Sequence, residues 1–457
     1  MARRLRLDLA ALAALLAGAA WLRLDGIRYG LPFGLLNPDE ASIVPRAWRM
    51  VHGGGLNPDW FDYPTLVMYL LAPFQAWQEE PSYLAGRLPV AALGVAGVAA
   101  SWVLGRRAYG ASAGWIAAAA TAVATVHVAY SHMAVTDVAL TLGVTATLAL
   151  ALARRLEWAG LAAGLAASAK YPGVLLVFPL VVAGWRQWRR LAVSALLAVL
   201  AFAATSPFVL LHPLQAADDV LREGRLARAG WLGFEDDHPT ALAFLDRLWE
   251  SLGPILVLAL AGLAVALVRR RRADLVLVTF VLAFFANLLV LDAHFDRYVL
   301  PMIPAFGALA GRIRPLAPVA LALLLVPLMW SLGDNRELNR TDTRVEAQAW
   351  IERNVPAGAS VAAESSTPPL DGFLTTRLEL PGPGRPFDPN RDVDRLRAAG
   401  VRYVVVTGAV ADRVLAARDR YVHEARFYDE LAETGRRVFY LEPGERLSGP
   451  WVAVFRV

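Results

Sequence analysis

Long apolar runs separated by short clusters of arginine dominate the first 335 residues. The runs lie near 7–24, 84–105, 112–130, 134–152, 158–170, 172–186, 191–209, 253–268, 274–291, 298–311 and 315–331. A helix needs about 20 apolar residues to cross a bilayer. The pattern therefore predicts a polytopic α-helical membrane protein with about 11 transmembrane helices in a domain over 1–335. The runs beginning at 158, 172 and 298 are short and read as tilted or partial spans.

The pattern changes near residue 340. Thr343 to Ile351 carries helical spacing that Asn354-Val355-Pro356 stops, and Ser360 to Ala363 reads as a strand. A helix over Asp392 to Ala399, closed by Gly400, precedes an apolar strand over Val401 to Val406. A further helix near 424–435 leads to strands at Val438 to Leu441 and Trp451 to Val457. Helices alternating with apolar strands predict a soluble α/β domain over 340–457. It carries no catalytic motif, and Pro381 to Pro386 reads as a loop.

Arginines mark alternate connections: Arg3, Arg4 and Arg6, then Arg106 and Arg107, Arg154 and Arg155, Arg186, Arg189 and Arg190, Arg269 to Arg272, and Arg312 and Arg314. By the positive-inside rule these six sites face the cytoplasm. The N-terminus is then cytoplasmic. The outer face receives the loops 25–83 and 210–250, the turns His132 to Asp137 and Asp292 to Arg297, and the C-terminal domain. The first run reads as a retained helix, because no small-residue cleavage site follows it and Trp21-Leu22-Arg23-Leu24 continues it. Within the first outer loop, Tyr63 to Leu71 is too short to span and predicts an interfacial or re-entrant helix.

Composition agrees: 57% of the 457 residues are hydrophobic and 19% charged, with a mean hydropathy of +0.44, against roughly 25% charged in soluble domains. Cysteine is absent, which excludes disulfides, thiolate metal sites and a cysteine nucleophile. The net charge of +5 sits in short clusters between apolar runs and not along one face, which argues against nucleic-acid binding. Of the 45 basic residues a single one, Lys170, is lysine.

Four outer-edge elements carry candidate chemistry. Asn37-Pro38-Asp39-Glu40 follows the first run, and alone it would suit a helix N-terminus. Asp137 opens an apolar helix, where a carboxylate is costly without a polar cavity or a partner. A simple cap would also place it there, and nearby His132 reads first as structural. Lys170 lies at a break, Ala169-Lys170-Tyr171-Pro172-Gly173. A chain that anchors its helices with arginine has a compact ammonium here, which suits a phosphate, although a snorkelling lysine is the plainer reading. Asp292-x-His294-x-Asp296-Arg297 suggests a metal set, but no further ligand cluster accompanies it and internal ion pairing is favoured. Acids, a lysine and an arginine around one face suit a reaction of a lipid-tethered anionic substrate.

These motifs, with Phe61-Asp62-Tyr63-Pro64-Thr65-Leu66 and Arg297-Tyr298-x-x-Pro301-x-x-Pro304, resemble the GT-C superfamily of integral-membrane glycosyltransferases. Within it the sequence is most similar to glycosyltransferase family 39, which includes protein O-mannosyltransferases and the lipid A aminoarabinose transferase. The resemblance spans roughly residues 1–350. It implies inverting transfer of a sugar from a polyprenyl-phosphate donor to a glycan, lipid or protein acceptor outside the cytoplasm. It further implies Asp39 as general base with Glu40 assisting, Asp137 as the second acidic motif, and Lys170 and Arg297 on the donor phosphate. Tyr63, His132 and His294 become pocket residues, no cofactor is implied, and metal dependence stays open. His132 and Met133 stand where the family often has an arginine, and the C-terminal domain does not resemble those of the eukaryotic O-mannosyltransferases. A bacterial inner-membrane enzyme is the expectation. Its rivals are a transporter or flippase of a lipid-linked substrate, which would need a repeat and midplane charges, and a polysaccharide polymerase or ligase using a diphosphate-linked donor.

Overall fold

The computed structural model describes residues 2–457, with side chains from Asp8 onward, so the side chains of Arg3, Arg4 and Arg6 lie outside the described residues. Each of the eleven apolar runs is helical, but their reach is unequal. Among the described residues three helical segments are long and apolar enough to cross a membrane unaided: Tyr83–Tyr109, Trp188–Thr205 and Arg314–Leu338. Two bent pairs, Ala111–Val123 with Thr125–Ser131 (57°) and Thr240–Leu252 with Ile255–Arg269 (119°), raise the number to five if each is one span. Others are shorter. Asp137–Leu152 and Leu156–Ala169 have 16 and 14 residues, reaching about 24 and 21 Å at the helical rise.

Local chemistry explains the breaks and the packing. At the Ala124 break, carbonyls freed from the helical ladder need donors. The fully buried Arg23 supplies them, bonding Thr121 O at 3.0 Å and Ala122 O at 3.1 Å. Leu156–Ala169 and Trp188–Thr205 touch backbone to backbone. A Cβ at Gly160 or Gly164 would fall 2.1 Å from a carbonyl oxygen of the facing helix, so small residues four apart set this contact.

The arginine-marked connections gather at one end. Arg272 bonds Ala151 O and Ala183 O, Arg190 bonds Arg154 O and Glu157, Arg314 bonds Tyr109 O, and Arg312 bonds Asp274. Ala151 is near the C-terminal end of the Asp137–Leu152 helix and Asp137 is at the other end, so the candidate chemistry and the arginines occupy opposite ends of the bundle. Around Asp137 lie Pro38–Val51, the short Leu66–Gln75, and a helix over Pro213–Ala229 in the second long loop. Leu66–Gln75 is a short helix where one was expected, whereas the Pro213–Ala229 helix was not legible in advance.

The C-terminal strands are β1 (Thr341–Asp342), β2 (Ser360–Glu364), β3 (Leu374–Leu378), β4 (Tyr403–Thr407), β5 (Arg436–Leu441), β6 (Leu447–Ser448) and β7 (Val452–Arg456). Five of them form a mixed sheet, β3-β2-β4-β7-β5, and β1 pairs with β6. Strand alternation decides the two faces. Val361, Ala363, Val405 and Val454 pack under the Thr343–Asn354 helix, while Ala362, Val404, Val406 and Ala453 pack under the Val393–Ala398, Gly408–Ala416 and Val422–Thr434 helices. β3 and the Gly408–Ala416 helix escaped the sequence reading. Leu232, from the loop after Pro213–Ala229, is buried in this domain's own core, where Arg413 donates to its carbonyl.

Candidate active site

The site begins with a capped helix. The side chain of Asn37 accepts from the backbone N–H of Asp39 and Pro38 takes the first helical position, so Asp39 and Glu40 both enter the first turn, where the helix dipole favours acids. Successive helical residues point about 100° apart, and the two carboxylates diverge completely.

Asp39 is bonded to two residues of a cavity wall. Its Oδ2 accepts from Tyr63 Oη at 2.8 Å and from Arg297 Nη1 at 2.7 Å. Arg297 comes from the Asp296–Met302 turn, which Tyr130 steadies by donating to Asp296 at 2.7 Å. A second pair lies beside the first: Lys170 Nζ donates to Asp137 Oδ1 at 2.6 Å. The two pairs share aromatic rings, for Lys170 stands 5.2 Å from the Tyr63 ring and 5.5 Å from that of Tyr298, and Arg297 lies 5.8 Å from the latter. Tyr63, Asp137, Lys170, Arg297 and Tyr298 line a cavity of about 370 Å³, roofed by Pro213–Ala229. Two buried polar atoms here are unbonded, Asp137 Oδ2 and Arg297 Nε. An apolar groove of about 900 Å³ adjoins it through Tyr171 and Val174, which line both, and runs between the Leu156–Ala169 and Trp188–Thr205 helices.

Glu40 is elsewhere. It is fully buried, forks onto Arg87 through two 2.8 Å bonds, and accepts from the backbone N–H of Ala134 at 2.8 Å. Arg87 also donates to the carbonyls of Ile27 and Tyr29. Glu40 thus has no free oxygen for an assisting role in proton transfer; it ties the helix bearing Asp39 to the bundle. His132 is also remote from the cavity lining: its ring nitrogens pair with the carbonyls of Val128 and Asp25, at 2.9 Å each, where the first helix ends. His294 lies beyond the cavity wall, against Asp237 at 3.1 Å and Thr240 at 3.3 Å. Both histidines are therefore structural in this arrangement and not pocket residues.

The Asp-x-His-x-Asp turn separates in the same way. His294 turns to Asp237 and Asp296 to Tyr130, and no group of three His, Asp or Glu side chains suited to a metal occurs among the described residues. The sequence reading missed Arg87, Tyr130, Tyr298 and Glu223. Arg87 had a signal, being an ionisable residue inside an apolar run, where a partner is required. Glu223 had none, since it lies on an ordinary amphipathic helix of a polar loop.

Residues 62–211 match the dolichyl-phosphate-mannose-protein mannosyltransferase family, a segment holding Tyr63, Asp137 and Lys170. No curated protein matches the chain at the level of sequence. Among solved structures, ArnT from Cupriavidus metallidurans bound to undecaprenyl phosphate superposes with a TM-score of 0.59 at 18% identity, covering 98% of this chain and 97% of that one. The Archaeoglobus fulgidus oligosaccharyltransferase AglB, in complex with an inhibitory peptide and a dolichol-phosphate, gives 0.55 at 13% identity over 97% of this chain and 74% of that one. The chain thus shares the fold of ArnT and AglB over nearly its whole length, and about a third of it matches the mannosyltransferase family.

Proposed function

We propose that the chain transfers a sugar from a polyprenyl-phosphate donor to an acceptor hydroxyl, with inversion at the anomeric carbon. The observation that carries this reading is the convergence, from distant parts of the chain, of Tyr63, Asp137, Lys170 and Arg297 on the wall of one cavity, with Asp39 bonded to Tyr63 and Arg297, beside an apolar groove. A cavity with charged groups on its wall beside an apolar groove suits a headgroup with a long tail. The ArnT and AglB complexes with polyprenyl phosphates support the same donor class.

In this mechanism Asp39 takes the proton of the acceptor hydroxyl as its oxygen attacks the anomeric carbon. The bond to the phosphate oxygen breaks on the opposite face, and the phosphate departs with the bonding electrons. Lys170 and Arg297 neutralise the charge that develops there. Both cations are matched to carboxylates in the structure. A phosphate that draws Arg297 away leaves Asp39 the stronger base, which would couple donor binding to activation. Asp137 positions Lys170. The 1–335 domain would be catalytic, in a bacterial inner membrane, with the N-terminus cytoplasmic and the 340–457 domain in the periplasm. No cofactor takes part in this scheme.

The test is purified protein in nanodiscs with undecaprenyl-phosphate-linked hexoses and a membrane extract as acceptor source. Release of undecaprenyl phosphate with formation of a new glycosidic bond is expected. Movement of the lipid-linked sugar across proteoliposomes without bond formation would establish a flippase instead, and exclusive use of diphosphate-linked oligosaccharides a polymerase or ligase. Lys170→Ala should weaken donor affinity about 30-fold or more, since truncating one partner of a buried charge pair costs about 2–5 kcal/mol; unchanged affinity would remove Lys170 from the phosphate. EDTA should leave the rate within about twofold if the two cations alone serve the phosphate, and a loss restored by Mg²⁺ or Mn²⁺ would overturn the metal-free scheme.

A further inference from the structure

The roof of the cavity carries a carboxylate that the mechanism does not use. Glu223 lies on Pro213–Ala229, lines the cavity with Asp137, Lys170 and Tyr298, and makes no hydrogen bond or ion pair among the described residues. The other cavity carboxylates are engaged: Asp137 with Lys170, and Asp62 with Arg222. A carboxylate on the cavity wall with both oxygens unspent can accept hydrogen bonds from a ligand's donors. Asp137 adds a stronger demand, for its Oδ2 is buried at the same cavity without a partner.

The C-terminal domain reaches this roof. Its Pro381–Pro386 loop packs there, so that a Cβ at Gly384 would touch Ala229 at 3.0 Å and one at Gly230 would touch Pro383 at 3.5 Å. Arg385 on that loop stacks on Trp231, 4.3 Å from the ring centroid, and makes no hydrogen bond to Glu223. Burial lowers Arg385, and Glu223 is the foremost charge opposing that fall. Burial likewise raises Glu223, with Asp62 and Asp39 adding to the rise and Arg297 and Lys170 opposing it. The C-terminal loop thus brings a guanidinium near the roof carboxylate and leaves the carboxylate's oxygens available.

Resting on the donor class proposed above, we infer that Glu223 is a specificity-determining residue that reads the transferred sugar, accepting hydrogen bonds from its hydroxyls together with the free oxygen of Asp137. A bare phosphate gains nothing from Glu223 and is repelled by it, so the residue favours the sugar-loaded lipid over the spent one. That assigns it a second consequence: it eases release of the lipid product once the sugar has gone.

The experiment measures binding of undecaprenyl phosphate, undecaprenyl-phosphate-mannose and undecaprenyl-phosphate-glucose to wild type and Glu223→Gln in nanodiscs. Wild type should hold at least one sugar-bearing lipid more tightly than the bare one. Glu223→Gln should reduce that affinity about tenfold, as for loss of a charged hydrogen-bond acceptor, and leave bare undecaprenyl phosphate unchanged or tighter. Unchanged affinity for the sugar-bearing lipids, equal losses for all three, or no wild-type preference would each overturn the role of Glu223. Failure of wild type to bind undecaprenyl phosphate at all would instead defeat the donor class. Should Glu223→Gln not fold, Glu223→Asp, which keeps the charge and withdraws it by one methylene, must show the same selective loss.

Discussion

Asp39→Asn is expected to slow sugar transfer by about 10²- to 10⁴-fold, the usual worth of a positioned general base. Asparagine preserves the shape and can still accept from Tyr63, so the variant removes the proton acceptor without emptying the site. Donor binding should hold or tighten, because Arg297 loses the carboxylate that engages it at 2.7 Å and becomes free for phosphate. The diagnostic pattern is a fall in kcat at constant or lower KM for the donor. Transfer at the wild-type rate would refute Asp39 as the base. A large rise in donor KM with kcat preserved would make it a binding residue.

Arg87→Met is expected to cost about 3–5 kcal/mol, the penalty for leaving a buried charge without its partner. Glu40 is fully buried and spends both oxygens on Arg87 and Ala134, and Arg87 also satisfies Ile27 and Tyr29. Apparent Tm in detergent should fall by on the order of 5 °C or more. Glu40→Gln combined with Arg87→Met should lose clearly less than the sum of the single variants, since the pair is removed together. Activity in the folded fraction separates the two carboxylates. If Glu40 only holds the helix, folded Glu40→Gln keeps most of its kcat, whereas a loss equal to that of Asp39→Asn would return it to the chemistry.

Much of this architecture was legible because it rests on patterns repeated along the chain. Apolar runs announced the helices and arginines marked one end of the bundle, where Arg190, Arg272, Arg312 and Arg314 indeed meet neighbouring connections. The apolar run Val401 to Val406 announced a strand, observed as β4 with its residues divided between two cores. Lys170 stood out because the chain uses lysine once. Partners were harder, since each is a long-range pairing that local periodicity does not encode. Asp39 and Glu40 are adjacent in sequence yet end in different environments, because one helical step carries them to different faces. His132 and His294 looked available by chemistry alone, and nearby carbonyls and side chains occupy both. The Leu374–Leu378 strand lies at the sheet edge and is largely exposed, so it lacks the apolar alternation that betrays a central strand.

The burial of Leu232 has a consequence for how such chains can be recombined. The segment that follows the cavity roof contributes a side chain to the hydrophobic core of a domain that begins more than a hundred residues later. Tyr421 donates to Glu235 in the same segment, and Arg385 covers Trp231. The natural module boundary therefore does not follow the order of the sequence: an exchange of C-terminal domains between relatives has to carry residues 231–235 with it, or the graft arrives with a hole in its core and an untethered roof.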